Sequence, residues 1–396
     1  MTIDPAGTVR PPSPYPWLAG AQAPAPAGPA TQLAADVGRL APHPFPPGVT
    51  RPDVEALLGC GPVISLHDHP VRLPDPVHAE TLRRHRAAGR DYLGYDGLAA
   101  SGLSAVFASA LAWPDLAELV RWFALLRADL SHAAGAFEAE DAARIAERDA
   151  AGRVAVVFAM EDLGSVGEDL SSIEVLYGLG VRCAGLAYNA GSALGGGLAQ
   201  ATDPGLSKHG RTAIRLMNAM GMLVDLSHVG DRTALEAAAA SGQPVVITHA
   251  GARGLWNTRR MKPDDVLRAC AETGGVIGIE AAPGSTRVPG SPGHDLDAVM
   301  AHAEYCADLV GIDHVALGPD TFFGDHLGLY AASGWTPMRP PENAAALDIT
   351  HVGGMENPGE AHRNAAAWML AHGWPEEDAV KVLGGNVARI VREVLP

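Results

Sequence analysis

Six residues of metal-ligating type stand at the ends of short apolar runs in this chain. The densest group is His67-Asp68-His69, which closes the run Pro62-Val-Ile-Ser-Leu66. In a strand, side chains i and i+2 share a face, so His67 and His69 point together and Asp68 turns away. Two convergent imidazoles at a strand end make half of a metal site. Taken alone, the pair reads equally well as two ordinary loop histidines. The other four are Glu161 after Val-Val-Phe-Ala-Met160, His228 after Leu-Val-Asp-Leu-Ser227, His249 after Val-Val-Ile-Thr248, and Asp320 after Val-Ala-Leu-Gly-Pro319. Each has a plain alternative. Glu161 suits a helix-capping acid, His228 a satisfied loop histidine, and Asp320 a turn residue. Their shared placement at strand ends sets them apart.

The set makes chemical sense as a two-metal centre. Two divalent ions about 3.5–4 Å apart need a bridging carboxylate with nitrogen ligands on either side. Glu161 is the bridge candidate, with His67 and His69 on one ion and His228 and His249 on the other. Water between the ions would lose a proton near neutral pH and attack a carbonyl. Asp320 could take that proton and pass it to the leaving nitrogen. Histidine with carboxylate favours zinc, and also suits manganese, iron or nickel.

Such a set needs strands whose C-terminal ends share one face. Eight apolar segments fit: 62–66, 103–108, 154–159, 182–187, 222–226, 244–248, 275–279 and 314–318. Near-continuous apolar strands are what a parallel sheet buried on both faces requires. Helical periodicity lies between them, at 115–129, 211–220, 231–241, 263–273 and 294–310, with Asp231 and Asp264 as N-cap candidates. The alternation predicts an α/β fold, a (β/α)8 TIM barrel. A doubly wound open sheet is the alternative, weakened by the lack of a G-x-G-x-x-G after the first strand. Residues 1–48 are rich in Pro, Ala and Gly and read as an extended N-terminal arm with a short helix possible at 31–41; residues 49–396 read as the barrel domain. Residues 325–360 read as a long loop, and the C-terminal part as two short helices joined at Gly384-Gly385.

Composition bounds the partners. The 396 residues are 47% hydrophobic and 19% charged, with net charge -16. That balance argues against nucleic acid or an anionic membrane surface and leaves a small molecule. No stretch is long and apolar enough for a membrane span. The four cysteines form no CxxC pair, which favours reduced thiols and a cytoplasmic location.

With these motifs in place, the chain resembles the membrane (renal) dipeptidase family, peptidase family M19, within the amidohydrolase-like barrels. The resemblance runs from about residue 60 to the C-terminus. It rests on Leu66-His-Asp-His-Pro70, Leu176-Tyr-Gly-Leu-Gly-Val-Arg182, Gly205-Leu-Ser207, Val224-Asp-Leu-Ser-His-Val229, Pro244-Val-Val-Ile-Thr-His249, Asn257-Thr-Arg-Arg260, Pro263-Asp-Asp-Val-Leu267 and Val382-Leu-Gly-Gly-Asn386. It implies a barrel, two zinc ions, a homodimer, and hydrolysis of dipeptides with a free C-terminal carboxylate. Within it, His67 matches the first metal histidine, Glu161 the bridging glutamate, and His228 and His249 the second pair. Asp320 matches the acid that handles protons, and Arg260 the arginine that recognises substrate.

Three positions depart from the family pattern. His69 stands where the family has an aspartate, which raises the site charge by one unit. Tyr188-Asn189 stands where a histidine contacts substrate; a phenol still donates a hydrogen bond but cannot be cationic. Glu280-Ala-Ala-Pro283 replaces a segment that often carries an aromatic. These changes keep open a non-peptide substrate on the same barrel, such as a cyclic amide, N-acyl compound or lactone, and more remotely an inactive binding protein.

Overall fold

The computed structural model describes residues 2–3, 9–10, 43–73, 77, 80–81, 93–110, 115–291, 293–333 and 352–396. Most of the expected arm, including the helix considered at 31–41, lies outside the described residues. Within it, Thr2–Ile3 pairs antiparallel with Val9–Arg10.

Eight parallel strands form the framework: β1 (Ile64–Asp68), β2 (Ala105–Ala110), β3 (Val154–Met160), β4 (Val181–Gly185), β5 (Leu223–Asp225), β6 (Val246–Ala250), β7 (Val276–Ile279) and β8 (Val315–Leu317). Each pairs with the next in order. The short strand Ala136–Glu138 adds to one half of β3. The ring closes at the C-terminal ends of β8 and β1. There the Asp320 amide donates to the His67 carbonyl at 3.1 Å, and the His69 amide to the Thr321 carbonyl at 3.0 Å. Asp68 strengthens this seam, because its carboxylate accepts from the Thr321 amide at 2.9 Å and the Thr321 hydroxyl at 2.7 Å. The fold is therefore the expected (β/α)8 barrel rather than an open sheet.

The apolar strands are buried on both faces, as a parallel barrel demands. Ile64, Leu66, Phe107, Val157 and Leu223 fill the interior. Val63, Val106, Phe158, Val224 and Ile247 face the surrounding helices. Each such fully buried side chain contributes roughly 1.5–3 kcal/mol relative to exposure. The Asn386–Val394 helix adds Val387, Ile390, Val391 and Val394 to the inner cluster. Gly384 is required just before it, since a Cβ there would collide with the Pro62 carbonyl. The expected break at Gly384-Gly385 is present as a kink.

The differences from expectation are local. β1, β2 and β6 each begin two residues later than the apolar runs suggest. The strands instead extend into the polar residues, where the ladder continues although hydrophobicity has ended. Asp231 and Asp264 are not N-caps. They are the first residues inside their helices, capped by Gly230 and Pro263. They still place negative charge in the first turn, where the helix dipole favours it. The expected long loop at 325–360 contains a helix, His326–Ser333; residues 334–351 lie outside the described residues.

Candidate metal centre

β1 brings His67 to the barrel mouth, and His69 follows one residue beyond its end. Glu161 directly follows β3, and His249 lies within β6. His228 and Asp320 each follow their strands by three residues. All six are buried. Their ligating atoms converge into three overlapping groups: His67, His69 and Glu161; Glu161, His228 and His249; and His67, His249 and Asp320. Within each group the atoms lie within 4.8 Å of one another. Glu161 spans the first two, with Oε1 3.1 Å from His69 Nε2 and Oε2 3.1 Å from His228 Nε2. Asp320 Oδ1 sits 3.2 Å from His69 Nε2 and 3.5 Å from His67 Nε2.

The outer hydrogen bonds fix which nitrogens face inward. The Ser109 carbonyl, 2.8 Å from His69 Nδ1, can only accept, so Nδ1 carries the proton. Asn189 Oδ1 likewise accepts from His228 Nδ1 at 2.9 Å. Around His249 the proton is fixed by Asp225, which accepts from the Ser227 hydroxyl at 2.6 Å and the Thr248 hydroxyl at 2.8 Å. The Thr248 oxygen is then left to accept from His249 Nδ1, also at 2.8 Å. The neutral forms of all three rings thus aim an Nε2 lone pair at the centre. Those of His228 and His249 face each other at 2.9 Å, and His67 and His69 approach Nε2 to Nε2 at 3.3 Å.

Electrostatics make the same demand. Burial, with Arg260 nearby, lowers His228 to about 4. Burial, with His67 and Arg260, holds His249 well below its ordinary value. These two rings stay neutral and cannot supply a proton between their lone pairs. Burial opposes charge on His69 as well, but its hydrogen bonds to the Asp320 and Glu161 carboxylates outweigh it and carry that ring to about 10. Both carboxylates are held below the usual range, burial opposing the shift and the histidines overcoming it. Facing lone pairs beside two buried carboxylates call for positive charge, and the donor set fits divalent ions.

The remaining expected residues line the same mouth. Tyr188 stacks on His228 with ring centroids 4.2 Å apart. Burial, with Glu161 and Asp320 nearby, pushes its phenol well above the ordinary value, so it stays protonated. Asn189, expected to face substrate, is committed to orienting His228. Asn189 and Asp320 have φ of 42° and 58° and are the non-glycine residues with positive φ among the described ones. Strain of this kind concentrates at functional sites. Arg260 donates to the His249 carbonyl at 2.8 Å and forms an ion pair with Glu280.

Sequence reasoning alone missed several contributors. Ser109 acts through a backbone carbonyl, which leaves no trace in residue type. Asp225 had a signal in its place between Val224 and Leu226, since a carboxylate inside an apolar strand needs a partner. Phe322, stacked on His69 at 4.6 Å, and His326 beside it follow the last strand, where no metal-site spacing marks them.

The family model of membrane dipeptidase, peptidase family M19, matches residues 95–329. Dipeptidase tcpJ of Claviceps purpurea is 32% identical over 262 residues, 65% of this chain and 55% of that protein. An uncharacterised dipeptidase of Schizosaccharomyces pombe is 35% identical over 176 residues, 43% of this chain and 42% of that protein. The chain thus spans about half the length of these relatives. An amidohydrolase from Pseudomonas aeruginosa shares the fold with a TM-score of 0.69 at 23% identity, over 86% of this chain and 99% of that one. A metallo peptidase from Rhodobacter sphaeroides, solved with a phosphinate mimic of the dipeptide L-Ala-D-Ala, gives 0.67 at 20% identity, over 84% and 99%.

Proposed function

The chain belongs to the membrane dipeptidase family, and from that membership and the site geometry we propose that it is a binuclear metallohydrolase cleaving the amide of a dipeptide or dipeptide-like small molecule. The observation that carries this reading is the convergence of the His67, His69, His228 and His249 nitrogens on Glu161. His67 and His69 would hold one ion, His228 and His249 the other, and Glu161 would bridge them. Zinc suits these ligands best. Bound ions would supply a hydroxide at neutral pH and polarise the scissile carbonyl.

The chain's own groups supply the rest. Asp320 Oδ1 takes a proton from the attacking water and returns it to the leaving nitrogen. Against burial, His67 and His69 beside it hold its carboxyl below the usual range, so it is ionised at neutral pH. The Tyr188 phenol donates a hydrogen bond to the developing oxyanion. Arg260 orients the far end of the substrate. A homodimer and a cytosolic setting complete the proposal; the family likeness supports the first, and the unpaired thiols Cys183, Cys270 and Cys306 support the second.

The test is a substrate screen with zinc-loaded protein, setting dipeptides and capped dipeptides against cyclic amides, N-acyl amino acids and lactones. Cleavage of the dipeptide classes is expected. Hydrolysis confined to lactones or cyclic amides would replace the dipeptidase reading with the non-peptide one.

A further inference from the structure

One side chain in the mouth has no part in the mechanism above. Glu280 directly follows β7, is fully buried, and is ion-paired with Arg260. Arg260 is itself only 12% exposed at its side chain. Its Nη2 carries two protons. One goes to the His249 carbonyl at 2.8 Å, and the same nitrogen is ion-paired with the Glu280 carboxylate. Nη1 lies 3.4 Å from the Ser227 carbonyl. The guanidinium is held in place by two backbone carbonyls, and its charge is matched by a carboxylate in the same buried pocket.

We propose that Glu280 is a specificity-determining residue that makes this site select against a free carboxylate, so that its substrates present a neutral group to Arg260, as a C-terminally blocked dipeptide does. The inference rests on the amide-hydrolase reading and narrows its substrate class. A substrate carboxylate reaching Arg260 would share one guanidinium with Glu280, and two like charges in a desolvated pocket disfavour each other. Displacing Glu280 would take its cation away and force the buried carboxyl, already raised to about 7 by burial, to take up a proton. Asp320 adds negative charge to the same surroundings and interacts with both members of the pair. The neighbouring groups suit a neutral ligand. Tyr188 and Tyr330 interact electrostatically with Arg260 and Glu280. A phenol brings hydroxyl chemistry to a neutral carbonyl without adding charge.

The test uses zinc-loaded protein and two probes, a phosphinate mimic of alanyl-alanine and the C-terminal methylamide of that mimic. Calorimetry reads their dissociation constants without requiring turnover. The wild-type protein is expected to bind the methylamide at least as tightly as the free acid, a comparison that needs no variant to fold. Glu280→Gln is expected to tighten the free acid tenfold or more while moving the methylamide less than twofold. The double variant Glu280→Gln with Arg260→Gln should lose that gain. A wild-type preference of tenfold or more for the free acid would overturn the inference while leaving the hydrolase reading intact. An unchanged ratio in Glu280→Gln would do the same. Binding of neither probe to either protein would sink the hydrolase reading and this inference with it.

Discussion

At the scale of single residues, the site divides into atoms that would hold metal and atoms that would move protons. Asp320 is placed for the second role but is close enough for the first, at 3.2 Å from His69 Nε2. Asp320→Asn keeps the shape and removes the base. It should retain its metal and lose about 10²–10⁴-fold in turnover, the usual scale of general base catalysis. Elemental analysis beside kinetics decides; loss of metal in this variant would make Asp320 a ligand. His69→Ala is the complementary change. It removes the imidazole that donates to the Ser109 carbonyl, so metal content should fall if His69 is a ligand, and an unchanged content would exclude it. These residues were legible in the sequence because metal chemistry restricts residue types and β1 imposes an i, i+2 spacing. Glu280 was visible only as a departure, since a partner 20 residues away in sequence has no periodic signature. The Ser109 carbonyl had no signature at all.

At the scale of elements, the strands position the chemistry by close approach. A Cβ on Gly278 or Gly318 would collide with the Thr248 carbonyl, and one on Gly185 with the Glu161 carbonyl. Gly318→Ala should therefore cost about 1–3 kcal/mol by overpacking, and also weaken metal binding, because the same Cβ presses toward His67. Denaturant unfolding and metal titration read the two effects. The loops are tied as tightly. Lys262 is fully buried and donates to the Val229 carbonyl at 2.8 Å, joining the β5 and β6 loops that carry His228 and Arg260. Burial, with Arg260 beside it, lowers its pKa to about 7 from 10.5. Between those values the unfolded chain holds a proton that the folded one lacks, so stability rises with pH there by up to about 1.4 kcal/mol per unit. Lys262→Met should remove that slope, measured as the difference in unfolding free energy between the two proteins from pH 7 to 10. The strands were legible because both their faces are apolar. Their ends were not, because hydrophobicity stops where the chemistry starts while the backbone ladder runs on through His67 and Asp68.

At the scale of the whole molecule, every strand of the barrel delivers something to one mouth. His67, the Ser109 carbonyl, Glu161, Tyr188, His228, His249, Glu280 and Asp320 come from β1 to β8 in turn. The barrel is closed by its seam, and ions held in the mouth would tie its strands further. Stripping metal should leave lone pairs facing at 2.9 Å and lower the melting temperature. Binding at 100 times Kd stabilises by about 2.7 kcal/mol, so a shift of several degrees between zinc-loaded and chelated protein is expected in calorimetry. We propose this mouth as a two-metal hydrolytic centre for amide bonds. Its most direct test titrates metal-free protein with zinc while following cleavage of free and C-terminally blocked dipeptides. Hydrolysis should reach its plateau at two equivalents of zinc per chain. Zinc bound below stoichiometry, or no dipeptide of either kind cleaved at any zinc level, would contradict it.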